Sequence, residues 1–231
     1  TKGQQATLEL VDRIRELGHQ VVPHLSARKF SGRDQVDSVA EQLRAWDIDE
    51  IFVVAGDAET PDGPYEGAAD LLEELHDLGH RFARVGITGY PESHPLIDDQ
   101  VLIDAMQRKL PYATHIATQI CYEAETIRNW ISAVRARGVD LPIHIGLPGV
   151  VDRSRLLKIS LRVGLGDSVR FLRKQSQVAT KIAGGYRPDE LMEELGDLVL
   201  AEGGIAGWHI FTFNEVKRTE QWRQQLLAEG A

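Results

Sequence analysis

The segment Gly86-Ile87-Thr88-Gly89-Tyr90-Pro91-Glu92-Ser93-His94-Pro95 sets a phenol, a carboxylate and an imidazole on a backbone stiffened by two prolines, directly after the apolar run 82–85. Such groups at the end of a buried strand can bind a polar ligand or move a proton; a proline-fixed turn with incidental polar residues has the same composition. Asp57 follows Gly56 where another apolar run stops. A carboxylate there either accepts a hydrogen bond from a ligand ring nitrogen and orients a proton transfer, or it is a turn Asp. His24 after Pro23 is a ligand contact or a hydrogen-bonded rim histidine. Gln119 ends a third apolar run. Its amide both donates and accepts, which suits a heterocycle such as a pterin, but a rim glutamine satisfied by protein groups is the competing reading.

Two cationic segments stand beside these. Arg108-Lys109 lies at the end of a predicted helix, where cations either complement the helix dipole or hold phosphates. Gly166-Asp167-Ser168, followed by Arg170, Arg173 and Lys174, opens a helix that either binds an anion or is simply capped with a solvated basic face. Cys121 has no nearby His and reads as core. The remaining histidines, at 19, 76, 80, 115, 144 and 209, show no metal-ligand spacing, so no metal site is expected.

The elements that must carry these residues alternate. A helix with Leu8, Val11, Ile14 and Leu17 on one face ends at Gly18, and a short strand spans 20–25. A helix over 34–46, with Val36, Val39, Ala40, Leu43 and Trp46 on one face, precedes the strand 50–55. After a Pro/Gly/Asp loop at 60–64 the pattern predicts a helix over 65–78, a strand over 81–87, a helix over 97–110, a strand over 114–118, a helix over 123–137 and a strand over 142–146. Two or three helices fill 152–201, broken at 164–166 and 184–185, and a last strand over 207–213 leads to a C-terminal helix. Strand starts recur about every 30 residues, the size of one βα unit. Apolar strands each followed by a helix mean a covered parallel sheet, either doubly wound or a (β/α)8 barrel. No Gly-x-Gly-x-x-Gly follows the first strand, which removes the main signal for a dinucleotide-binding Rossmann fold. Polar groups at the ends of many strands are barrel behaviour, yet only six strands are predicted. Either the first two strands of a barrel lie upstream of Thr1, or the sheet is open. With no linker and no low-complexity segment, residues 1–231 are expected to form one domain.

Composition narrows the partners. A net charge of −9 with no Lys/Arg run excludes duplex nucleic acid as the expected partner, but not small anions held by local groups. The single cysteine excludes an internal disulfide. No signal-peptide pattern and no membrane-length apolar run are present, so a reducing, cytoplasmic compartment is expected, with no membrane partner. The sequence carries no signal for oligomeric state.

Taken in order, these motifs resemble the methylenetetrahydrofolate reductase family. The pieces are Pro23-His24-Leu25-Ser26-Ala27 (Pro-His-Leu-Thr-Cys in the family), Ala55-Gly56-Asp57 (Arg-Gly-Asp), Tyr90-Pro91-Glu92-Ser93-His94-Pro95 (Tyr-Pro-Glu-x-His-Pro) and Arg108-Lys109. Ile116-Ala117-Thr118-Gln119 (Ile-Thr-Gln), Gly146-Leu147-Pro148 and Phe211-Thr212-Phe213-Asn214 (Tyr-Thr-Leu-Asn) complete the set. The resemblance implies a (β/α)8 barrel of TIM type lacking its first two strands in this chain. It implies reduction of 5,10-methylenetetrahydrofolate to 5-methyltetrahydrofolate with NADH or NADPH, a step of one-carbon metabolism that feeds methionine synthesis. In the family a flavin (FAD) at the barrel mouth relays the hydride. Carried over, Asp57 would be catalytic, near the flavin and the pterin, and Gln119 would hydrogen-bond the pterin. His24, Gly56, Tyr90, His94, Arg108 and Lys109 would line the flavin and its phosphates. Several family positions differ: the Arg before Gly-Asp is Ala55, a Tyr is replaced by Gly67, an Asp and an Asn before Arg-Lys are Leu102 and Ala105, and the Arg after the terminal Asn is Glu215. These losses point to a divergent member in which hydride passes directly from the nicotinamide to the folate, without a tightly bound flavin. The alternatives are a tetrahydrofolate-binding relative without reductase activity and a folate-dependent methyl-transfer enzyme. No residue that separates NADH from NADPH is recognisable, and the family's first-strand Glu, its general acid, has no counterpart in the sequence.

Overall fold

A computed structural model describes residues 3–94, 97–162 and 188–229. Within them the elements run α1 (Gln4–Glu16), β1 (His24–Ser26), a 3-10 turn (Ala27–Lys29), α2 (Arg33–Ala45), β2 (Glu50–Val54), α3 (Ala68–Asp77), β3 (Arg84–Gly89), α4 (Asp99–Lys109), β4 (His115–Thr118), α5 (Ala124–Ala136), β5 (Ile143–Pro148), α6 (Arg153–Arg162), α7 (Asp189–Glu194), α8 (Gly196–Leu200), β6 (Gly207–Phe211) and α9 (Val216–Glu229). The strands form one six-stranded sheet in sequence order, β1-β2-β3-β4-β5-β6, the order that successive βα units generate. The expected parallel α/β architecture is therefore present. No described helix is long and apolar enough to cross a membrane. The Gly164–Gly166 and Gly184-Gly185 breaks, Pro95, and the Gly166-Asp167-Ser168 segment with its three cations lie outside the described residues.

The chain divides into two compact units, Thr1–Thr88 with Gln100–Ile116, and Gly89–Asp99 with Ala117–Ala231. In the first, β1 pairs with β2 and β2 with β3, both parallel, in the registers His24↔Phe52↔Gly86 and Leu25↔Val53↔Ile87. Leu25, Ile51, Val53 and Ile87 are buried, and Val36, Val39, Ala40 and Leu43 turn the predicted face of α2 inward. Trp46 leaves that face. It follows the last turn of α2, half-buried, with the Arg15 guanidinium 5.6 Å from its ring centroid. In the second unit β5 pairs with β6 in parallel, and Ile127, Ile131 and Val134 of α5 are buried along with Ile143, Ile145 and Leu147.

Several boundaries differ from expectation for local reasons. β1 starts at His24 rather than 20, because Pro23 has no N–H and enters the ladder only as an acceptor, from Phe52 N–H at 3.0 Å. β3 starts at Arg84, because Arg81 instead caps the end of α3 by donating to the His76 and His80 carbonyls. Ile97 stays out of α4 because it bridges back to His94. β6 stops at Phe211, since Phe213 and Asn214 turn into the left-handed region at φ 48° and 66°.

Candidate functional site

In the first unit, β2 ends at Val54 and the chain turns at Gly56, whose φ is +95°. The backbone angle there favours glycine, and a Cβ would come within 3.1 Å of the Ser26 Cβ, a tight contact with β1. The turn presents Asp57 exposed, and its carboxylate has no protein partner among the described residues. Arg28, in the 3-10 turn after β1, donates to carbonyls on both sides of the loop that follows Asp57.

His24 opens β1 and stacks on Phe52 with ring centroids 4.7 Å apart and planes inclined by 27°. Phe52 in turn lies 6.4 Å from the His115 ring. Both sit over Gly86, where a Cβ would collide with Phe52 Cδ2 and His115 Nε2. Gly86 is therefore the notch that lets two rings lie across the strand. The His24 ring is reached by solvent, yet enough protein surrounds it that desolvation lowers its pKa, and the imidazole stays neutral. A neutral ring open to solvent but crowded by protein can stack on a ligand ring and offer one donor and one acceptor.

The Arg108-Lys109 pair separates. Arg108 points outward on α4, and its guanidinium is held by Glu73 at 2.9 Å and Asp70 at 2.8 Å on α3. Lys109 turns inward and is 6% exposed; burial lowers its pKa to about 8. No ion pair to Lys109 is formed among the described residues.

In the second unit, the loop after β3 brings Tyr90 and His94 into an edge contact with centroids 5.3 Å apart, through a left-handed Ser93 at φ 66°. Desolvation lowers the His94 pKa. Cys121 is fully buried. Burial raises the thiol's pKa, and the adjacent Glu92 carboxylate adds to the shift, so the sulfur stays protonated and inert, as expected of a core cysteine. Gln119 follows β4, and its N–H donates to the Gly89 carbonyl at 2.8 Å. Its side-chain Oε1 accepts the Ile120 N–H at 3.0 Å, while the Nε2 has no partner among the described residues. The half-buried amide is therefore oriented as a donor. At the end of β6, Phe211 and Phe213 stack 6.1 Å apart just before the left-handed Asn214. Glu215, in place of the expected cation, pairs with Arg155, which also donates to the Phe213 carbonyl at 2.9 Å.

The structure thus brings Gly56 and Asp57 together beside Ser26 in one unit, and Tyr90, His94 and Gln119 within the other. Arg28, Phe52, His115 and Arg155 carry weight that sequence reasoning missed. Their partners are 28 to 63 residues away or set by strand register, so no local pattern marks them.

A family model described as methylenetetrahydrofolate reductase matches residues 1–226. The chain is 26% identical over 218 residues to Methylenetetrahydrofolate reductase 2 of Saccharomyces cerevisiae, covering 86% of this chain and 35% of the yeast protein. It is 22% identical over 233 residues to Methylenetetrahydrofolate reductase (NADH) 1 of Arabidopsis thaliana, covering 90% of this chain and 38% of that one. It is 24% identical over 215 residues to Methylenetetrahydrofolate reductase 1 of Schizosaccharomyces pombe, covering 88% of this chain and 35% of that one. The chain therefore spans little more than a third of the length of these relatives. With the family model matched over nearly its whole length, the chain belongs to the methylenetetrahydrofolate reductase family.

Proposed function

We propose that the protein reduces 5,10-methylenetetrahydrofolate to 5-methyltetrahydrofolate, with NADH or NADPH as the hydride donor. The observation that carries this reading is the exposed Asp57 carboxylate, without a protein partner among the described residues, at the C-terminal end of β2 in the family's Gly-Asp position. In parallel α/β folds that end of the strands is where ligands bind. Asp57 accepts hydrogen bonds from the pterin N–H groups. Gln119, with its carbonyl held by Ile120, donates its NH2 to a pterin acceptor. His24 supplies a neutral ring for stacking, Tyr90 and His94 are the aromatic and imidazole groups that the second unit offers a ligand, and residues 1–231 are read as one domain of (β/α)8 type. The bond from the methylene to N10 breaks and N10 takes up one proton, which leaves an iminium at N5. The hydride of the reduced nicotinamide adds to the methylene carbon, the π electrons return to N5, and the nicotinamide leaves oxidised.

We also propose that no flavin is tightly held. Of the two cations carried over to the flavin phosphates, Arg108 is taken up by Glu73 and Asp70, which leaves Lys109. Leu102 and Ala105 offer no polar side-chain atom, and Ala55 and Gly67 offer no side-chain donor. Each missing charge-assisted contact removes about 1.5–3 kcal/mol from a diphosphate site. The same erosion favours, as second readings, a tetrahydrofolate-binding relative without reductase activity and a folate-dependent methyl-transfer enzyme.

The test is the oxidation of NADH and of NADPH by the purified protein with and without methylenetetrahydrofolate, together with its visible absorbance spectrum. Nicotinamide oxidation that requires the folate, in a colourless protein, is the expected result. Folate binding without oxidation supports the non-reductase readings, and a stoichiometric flavin spectrum overturns the flavin-free proposal.

A further inference from the structure

We infer that Arg28 is a positioning residue for Asp57, an inference that rests on the assignment of Asp57 to the pterin. The guanidinium reaches both ends of the loop that follows the carboxylate. Nη1 donates to the Ala58 carbonyl at 2.9 Å and the Glu59 carbonyl at 3.3 Å, while Nε donates to the Glu66 carbonyl at 2.8 Å and Nη2 to the Glu66 carboxylate at 2.9 Å. Its main chain joins the same loop. The Arg28 N–H donates to the Ala55 carbonyl at 2.9 Å, and the Arg28 carbonyl accepts the Asp62 N–H at 2.9 Å. One residue thus ties together the positions just before Gly56, just after Asp57, the middle of the loop and its end.

The far end of the loop is anchored in turn. The Glu66 and Gly67 N–H groups both donate to Asp70 Oδ2 at 2.9 Å, which fixes the first turn of α3, and Asp70 is held by Arg108. The planar guanidinium suits this role because its donors diverge in a fixed fork that a lysine ammonium cannot copy. Asp57 itself makes no internal bond among the described residues. Its direction is therefore set by its backbone, by Gly56 at φ +95° and by this clamp. A catalytic group that must stay free for its ligand has to be oriented through its neighbours, and loss of about 1 Å of placement costs on the order of 100-fold in rate.

The experiment is a double-mutant cycle on the full chain with Arg28→Met, Asp57→Asn and the pair. It measures kcat and KM for methylenetetrahydrofolate, tetrahydrofolate affinity and Tm. Arg28→Lys serves as the second variant should Arg28→Met fold poorly. The expected result is a fall of about 10- to 100-fold in kcat for Arg28→Met. Arg28→Lys should recover only part of this, and Arg28→Met should have little further effect on kcat once Asp57 is Asn. Added guanidinium ion should partly restore Arg28→Met and leave Asp57→Asn unchanged. If Asp57→Asn is impaired but Arg28→Met is not, or if the two losses multiply, Arg28 does not act through Asp57 and the inference fails alone. If Asp57→Asn is as active as the unaltered protein, the assignment of Asp57 fails and the inference fails with it.

Discussion

The two units present their candidate ligand groups in opposite ways. In the first, Asp57 is free among the described residues, and the rigidity lies around it, in Gly56 and in the Arg28 clamp. In the second, Gln119 is fixed by its own side chain, whose carbonyl is bound to the next backbone N–H, leaving one kind of group to offer. An ionised carboxylate is acceptor-only, and with no internal bond all of its lone pairs stay available to a ligand. An amide has two faces, and committing one selects the chemistry of the other. The units also share a device with a difference. Gly86 and Gly146 are both notches for a neighbouring Phe ring, but the nearest atoms a Cβ at Gly86 would meet belong to side chains, whereas at Gly146 the nearest is the Thr118 backbone carbonyl, followed by Phe211.

That last contrast predicts the largest effect. Gly146→Ala should destabilise the protein by more than about 3 kcal/mol, because the Thr118 backbone carbonyl cannot pivot away from the added methyl. Gly86→Ala should cost about 1–3 kcal/mol, because the Phe52 and His115 rings can turn. Urea unfolding of both variants checks the ranking, and equal losses would break it.

Lys109 comes next. Its folded pKa, about 8, lies below the ordinary lysine value of 10.5. Between those values the unfolded chain binds more protons than the folded one, so stability rises with pH across that window, and the full penalty applies below it. Lys109→Met should therefore stabilise the protein at pH 7 by up to roughly 3 kcal/mol, with the gain shrinking as pH approaches 10. A loss of stability at pH 7 would show that the ammonium has a compensating partner.

The contrast between Asp57 and Gln119 can be sharpened by substitution. Asp57→Asn should weaken tetrahydrofolate binding by about 1.5–3 kcal/mol while changing stability by less than about 0.5 kcal/mol. Gln119→Glu retains an acceptor for the Ile120 N–H but loses the donor, so it should bind tetrahydrofolate as poorly as Gln119→Leu. If Gln119→Glu binds normally, the amide does not act as a donor.

The smallest effect concerns His24. Its pKa is lowered by desolvation, so the unfolded chain takes up the proton first as pH falls below 6.5, and stability drops. His24→Phe should flatten the change in Tm between pH 7.5 and 5.5; an unchanged slope would assign the acid sensitivity elsewhere.

Much of the frame was legible because it rests on local rules. The run Glu50–Val54 is apolar and β-branched and forms a strand, and Gly18, Gly79 and Gly138 end helices at positive φ, where only glycine is unstrained. That Asp57 and Gln119 follow the ends of strands was legible for the same reason, since both come where apolar runs stop. What was not legible depends on register and helix phase. Arg108 and Lys109 are neighbours in sequence but about 100° apart around α4, so one faces the acids of α3 and the other the interior. Arg28 reads as an ordinary turn cation until the loop 30 to 38 residues further on folds back over it. The row His24, Phe52 and Gly86 exists only once the parallel register is known.

The most direct measurement is tetrahydrofolate affinity by calorimetry for the unaltered protein and for the Asp57→Asn/Gln119→Leu double variant, with Tm recorded for both. The expected result is an affinity loss of about 100-fold or more at nearly unchanged Tm, from two charge-assisted or directional hydrogen bonds removed together. An affinity within about threefold of the unaltered protein would place the pterin elsewhere and contradict the account.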